Sequence, residues 1–160
     1  MTSKADFTDE EWARLRRAPI VAGMAISLAD PGGPIEALKE STATLKAATE
    51  SAEGGARPEL VEALAGDISA TAKERKSPLG DFRPRGALAV EQILDELRGA
   101  NDLVGRKATP EEAEAFREWL LGAAQRAADA AKEGGFMGFG AEQVSEGEER
   151  MLAKLREVLG

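Results

Sequence analysis

Apolar side chains recur at three- and four-residue intervals along most of the chain, the spacing of one face of an α-helix. Leu60 or Val61, Leu64, Ile68 and Ala72 form one such stripe; Val90, Leu94 and Leu97, with Ile93, form a second. Phe116, Trp119 or Leu120, Ala123 and Ala127 make a third, and Met151 or Leu152, Leu155 and Leu159 a fourth. No stretch alternates with period two, so no strand competes.

Helix-start and helix-stop residues divide this pattern into about seven segments. Thr8 and Glu11 form a capping box that opens a first helix to Arg17. Pro19 is suited to a first helical turn and predicts a second helix, 20–29. Asp30-Pro31-Gly32-Gly33 stops it, and Pro34 starts a third helix to about Glu50. Pro58 opens a fourth, to about Lys76. A turn-rich connector from Ser77 to Pro84 precedes the fifth. Thr109, Pro110, Glu111 and Glu112 are a strong start for the sixth. Ser145 and Glu148 form a second capping box before the last. Short connections between amphipathic helices imply an all-α fold, a single compact bundle of about seven helices in one domain over 1–160.

Composition agrees with close helix packing. Hydrophobic residues make up 42% of the chain, but 30 of its residues are alanine and none is tyrosine, which disfavours β-sheets. The absence of His and Cys excludes a Ser-His-Asp triad, thiol catalysis and zinc or iron–sulfur ligation by those residues. No apolar run is long enough to cross a bilayer: the longest, 18–29, is 12 residues. The acidic N-terminal stretch has no signal core, and the expected location is the cytoplasm. A net charge of −8 argues against nucleic acid and predicts attraction to cations or a basic protein partner. The short basic stretches, 14–17 and 73–76, do not alter that balance.

Two glycine-containing corners carry the candidate chemistry. The first runs from Ala29 to Glu36, the second from Glu133 to Val144, and carboxylates flank both. Oxygen ligands suit a hard divalent cation such as calcium, magnesium or manganese, and Asp30, Glu36, Asp129 and Glu133 are the candidate ligands. Asp129 and Glu133 share a helix face. The spacing is not that of an EF-hand. The competing structural reading makes Asp30, Gly32 and Gly33 a turn and Glu36 and Glu148 favourable helix-start charges. The apolar loop 135–140 presents Phe136, Met137 and Phe139 either as a plug on the core or as an interaction patch. It lacks the Lys-Ser/Thr ending of a phosphate loop, and no organic cofactor is implied. Paired carboxylates for glycoside hydrolysis would need a sugar-stacking cleft, for which the chain has only Trp12 and Trp119, both at core spacing.

The corners, with Val144, Ser145, Glu148 and the following Met151-Leu152, resemble the TerB-like family of tellurite-resistance and stress-associated helical domains. The chain departs from the family's corner by carrying Glu133 in place of Asp, by the Phe136–Gly140 insert, and by Pro34 in place of a Ser/Thr cap. The resemblance implies a non-enzymatic all-helical domain whose acidic residues bind a divalent cation and which couples to membrane or stress-response partners. The alternative expectation is an interaction or scaffold protein that uses the Phe136–Phe139 loop or a homodimer through a helical face.

Overall fold

The computed structural model describes residues 2–29, 34–49, 58–133 and 146–160, with side chains described for all of these except 34–40 and 131–133. Six α-helices occupy them: α1 (Asp9–Ala29), α2 (Pro34–Thr49), α3 (Glu59–Lys73), α4 (Ala89–Lys107), α5 (Pro110–Glu133) and α6 (Glu146–Leu159). No strand occurs among the described residues. No described helix is long and apolar enough to cross a membrane.

Two of the expected helices are one. α1 runs through Pro19, although proline removes one helical hydrogen bond and costs roughly 3 kcal/mol inside a helix. Leu15, Ala18, Val21, Ala22, Ala25 and Ile26 are fully buried on either side of it, so both halves face the same core. That shared burial offsets the break. Thr8 does form the expected capping box, accepting from the Glu11 amide at 3.1 Å while its own amide donates to Glu11 at 3.0 Å. Thr109 Oγ1 likewise accepts from the Glu112 amide at 3.2 Å. The Ser145 capping box lies outside the described residues.

Named contacts give the helix directions. Lys107, ending α4, reaches Glu11 near the start of α1 at 2.7 Å, while Glu96 lies against Arg17 further along, so α1 and α4 are antiparallel. The backbone amide of Thr2 donates to Glu112 at the start of α5 at 3.0 Å, so α1 and α5 begin together and run parallel. Trp119 donates its indole N–H to the carbonyl of Ala48 at 3.2 Å, which pins the end of α2 to the middle of α5. Asn101 donates to the Val158 carbonyl and accepts from Arg117, joining α4, α5 and the end of α6.

The core is one cluster from all six helices. Phe116, Leu15, Ile26, Leu60, Leu64, Ile93, Leu97, Leu120, Leu155 and Leu159 are fully buried within it. The stripes read from the sequence point inward, with the exception of Ala72, which is exposed, and Val90, which is half-buried. Alanines on α1 and α5 bring those helices together, and Gly23 does the same between α1 and α2. A methyl group at Gly23 would overlap the side chain of Thr44.

α3 ends at Lys73, earlier than expected. The Arg75 amide donates to the Ala72 carbonyl and the Lys76 amide to that of Thr71, the paired bonds of a Schellman turn. Arg75 holds its left-handed position at φ 59°, where glycine is usual and a side chain costs about 1 kcal/mol. The chain then climbs beside α1 as an irregular connector, 74–85.

Candidate docking groove

The six helices leave one flank of the α1–α2 pair uncovered. α1 contributes Ile20, Gly23, Met24 and Ser27, and α2 contributes Ser41, Thr44 and Leu45. Pro78 and Leu79 of the connector form the third wall of a groove of about 310 Å³. Its origin is local. Gly23 permits the close crossing against Thr44, and on either side of that crossing the larger Ile20, Met24 and Leu45 keep the helices apart.

The groove is apolar and uncharged. Ile20, Met24, Leu45 and Leu79 are each half-buried, packed on the core with one side open. The hydroxyl-bearing Ser27 and Thr44 already have interactions of their own. Ser41 stands exposed at the rim. A lining of this kind can desolvate an apolar group, and it places neither an acid nor a base beside one. The volume is at the lower end of the roughly 300–1,000 Å³ typical of ligand pockets, which suits a side-chain anchor better than a large cofactor.

A buried ion pair holds the connector in place. Glu96, 8% exposed, accepts from Arg17 Nε at 2.8 Å and Nη2 at 2.6 Å, with Arg14 Nε at 3.4 Å. The Arg17 guanidinium covers the ring of Phe82 at 5.5 Å. Phe82 and Leu79 are joined by a backbone turn, the Phe82 amide donating to the Leu79 carbonyl, so the pair on α1 and α4 steadies the third wall. Sequence reasoning missed this arrangement. The available signal was an acid, Glu96, lying within the inward stripe of Ile93, Leu97 and Ala100.

Among the carboxylates held below their ordinary values, Asp67 and Glu112 fasten the segment before α1. Asp67 accepts from the Trp12 indole at 2.6 Å and pairs with Lys4 at 3.0 Å. Burial pushes its carboxyl up, but those hydrogen bonds and the charges of Lys4 and Arg16 together hold it below the ordinary value. At Glu112 burial again acts upward and is outweighed by hydrogen bonds from Thr2 and Thr109, which hold it low. Both tie the segment before α1 to the bundle, and neither lines the groove.

The expected cation ligands are only partly described. Asp30 lies outside the described residues. Glu36 lies in the first turn of α2 and Glu133 ends α5, with side chains outside the description. Asp129 accepts from Gln125 at 3.1 Å. Among the described residues no three carboxylates come together as a cation site. What the topology does bring together is the ends of the elements: α1 and α5 run parallel from a common start and close at the same end of the bundle, where α2 opens. Phe136, Met137 and Phe139 lie outside the described residues. No known protein family, curated protein or solved structure matches the chain.

Proposed function

We propose that this protein is a non-catalytic helical module that docks an apolar anchor of a protein partner in the groove between α1, α2 and the connector. The observation that carries this reading is the groove itself: an open, uncharged concavity walled by Ile20, Met24, Leu45 and Leu79 in a chain that is 31% charged. The interaction-protein expectation thus acquires a different surface from the Phe136–Phe139 loop. The TerB-like resemblance points to the same class, a helical domain acting through partners.

Selection of a displayed random dodecapeptide library on the immobilised protein tests the reading. Peptides sharing an apolar anchor are expected to enrich and to lose binding to Ser41→Trp, which fills the groove from an exposed position. No enrichment, or binding that Ser41→Trp leaves intact, would refute it.

A divalent cation at the end where α1 and α5 close is a second, separate proposal. Two parallel helices direct the negative ends of their dipoles to that place, and α1 has no basic residue in its last turn. Glu36, Asp129 and Glu133 belong to the helix turns around it. Chelator-stripped protein is expected to melt higher on addition of one of calcium, magnesium or manganese, by about 2.7 kcal/mol at a hundredfold excess over Kd. Asp129→Asn should remove the gain. The same small shift with every cation would mean charge screening and nothing more.

A further inference from the structure

We infer that a second pocket, where the segment before α1 meets α1, α3 and the connector, binds a small zwitterion carrying one carboxylate and one ammonium group. The inference is independent of the docking groove, and the two concavities share no lining residue. This pocket measures about 430 Å³. Six charged residues line it, Lys4, Arg16 and Lys76 against Asp67, Glu74 and Asp81.

Four of those charges cancel within the fold. Lys4 pairs with Asp67 at 3.0 Å, and Asp67 also accepts from the Trp12 indole at 2.6 Å. Lys76 pairs with Glu74 at 2.6 Å and holds that carboxyl below its ordinary value. Arg16 and Asp81 remain. Neither makes a hydrogen bond or an ion pair with a described residue.

Arg16 is the stronger anchor of the two. Its neighbours Arg14 and Arg17 both turn to Glu96, whereas Arg16 lines the pocket and acts on Asp67 by charge alone. It is half-buried, and a guanidinium so placed ordinarily finds acceptors for its five N–H donors. A carboxylate matches that fork in two parallel hydrogen bonds. Asp81, exposed on the connector, supplies the partner for an ammonium.

Net charge decides between a zwitterion and a simple anion. The lining sums to zero, so a phosphate drawn to Arg16 would also meet Asp67, Glu74 and Asp81. A zwitterion sets each of its charges against an unpaired opposite one and brings no net charge with it. The rest of the wall is small, Ala70, Thr71, Ser77 and Gly80, and offers little apolar surface to a large side chain.

Trp12 reports on the pocket, because its indole N–H is bonded to Asp67. Glycine, β-alanine, 4-aminobutyrate and 6-aminohexanoate differ in the separation of their two charges. Each is titrated into nitrogen-15-labelled protein at fixed ionic strength, with acetate and methylammonium as single-charge probes. At least one zwitterion should shift the Trp12 indole resonance saturably, at about tenfold lower concentration than either single-charge probe, and leave that of Trp119 in place. Arg16→Gln should weaken this ligand about tenfold and Asp81→Asn about threefold. The melting temperature should hold in both variants, since neither side chain has a described partner to lose. Ser41→Trp should leave the binding intact, so the groove and this pocket stand or fall separately. Acetate as effective as every zwitterion would make this an anion site and overturn the inference. Absence of a saturable shift, or binding that survives both Arg16→Gln and Asp81→Asn, would overturn it as well.

Discussion

Gly23 lies where α1 crosses α2, and the absence of a side chain there sets both the packing of the pair and the shape of the groove. Thr44, buried opposite, occupies the space a β-carbon would need. Gly23→Ala would normally favour a helix by up to about 1 kcal/mol. Here the overlap has to be relieved by separating the helices, and overpacking of that kind costs about 1–3 kcal/mol. We expect a net loss of stability in urea denaturation together with loss of the groove-binding peptides. Glu96 makes a related point about single residues. An acid in the middle of an apolar stripe is tolerated because Arg17 meets it at both Nε and Nη2, and the same guanidinium covers Phe82. The buried charge is compensated in the folded state by that pairing.

Among the elements, α1 is the one whose behaviour local rules misjudge. Proline at position 19 predicts a break, yet the helix continues because burial on both sides of the residue outweighs one missing hydrogen bond. Pro19→Ala should therefore raise the melting temperature, by less than the roughly 3 kcal/mol of the intrinsic helix preference because the buried ring is lost as well. An unchanged or lower melting temperature would mean that the ring's packing is worth the whole penalty. The Schellman turn after α3 shows the reverse case, in which a local rule holds with an unusual residue. The hydrogen bonds of Arg75 and Lys76 are those of a glycine-ended helix, and Arg75 accepts the strained φ.

For the whole molecule, the segment before α1 is a clasp whose charges make stability depend on pH. Asp67 and Glu112 are both held below their ordinary values of 3.8 and 4.5 in the fold. The unfolded chain therefore takes up protons first as the pH falls, and the stabilisation present above the ordinary carboxylate range is lost as the pH drops through the folded values. Denaturation midpoints should fall as the pH drops below about 5, through and beneath the ordinary carboxylate values of 3.8 and 4.5. Asp67→Asn combined with Glu112→Gln should flatten that fall and lower stability near neutrality. Trp12 fluorescence provides a local readout, because its indole N–H is bonded to Asp67.

Periodicity and capping chemistry made the all-α class, the inward faces of α3 to α6 and the starts at Thr8 and Thr109 legible in the sequence, since each depends on residues within one or two turns of one another. The two glycine corners were equally visible as motifs, but whether their carboxylates meet depends on how separate helices are placed. Among the described side chains no such cluster forms, while the parallel course of α1 and α5 brings their ends together. The continuity of α1 through Pro19, the burial of Glu96 against Arg17 and the groove at the Gly23–Thr44 crossing were beyond a linear reading. Each joins residues from different helices, so its energy lies in contacts that exist only after the bundle has formed.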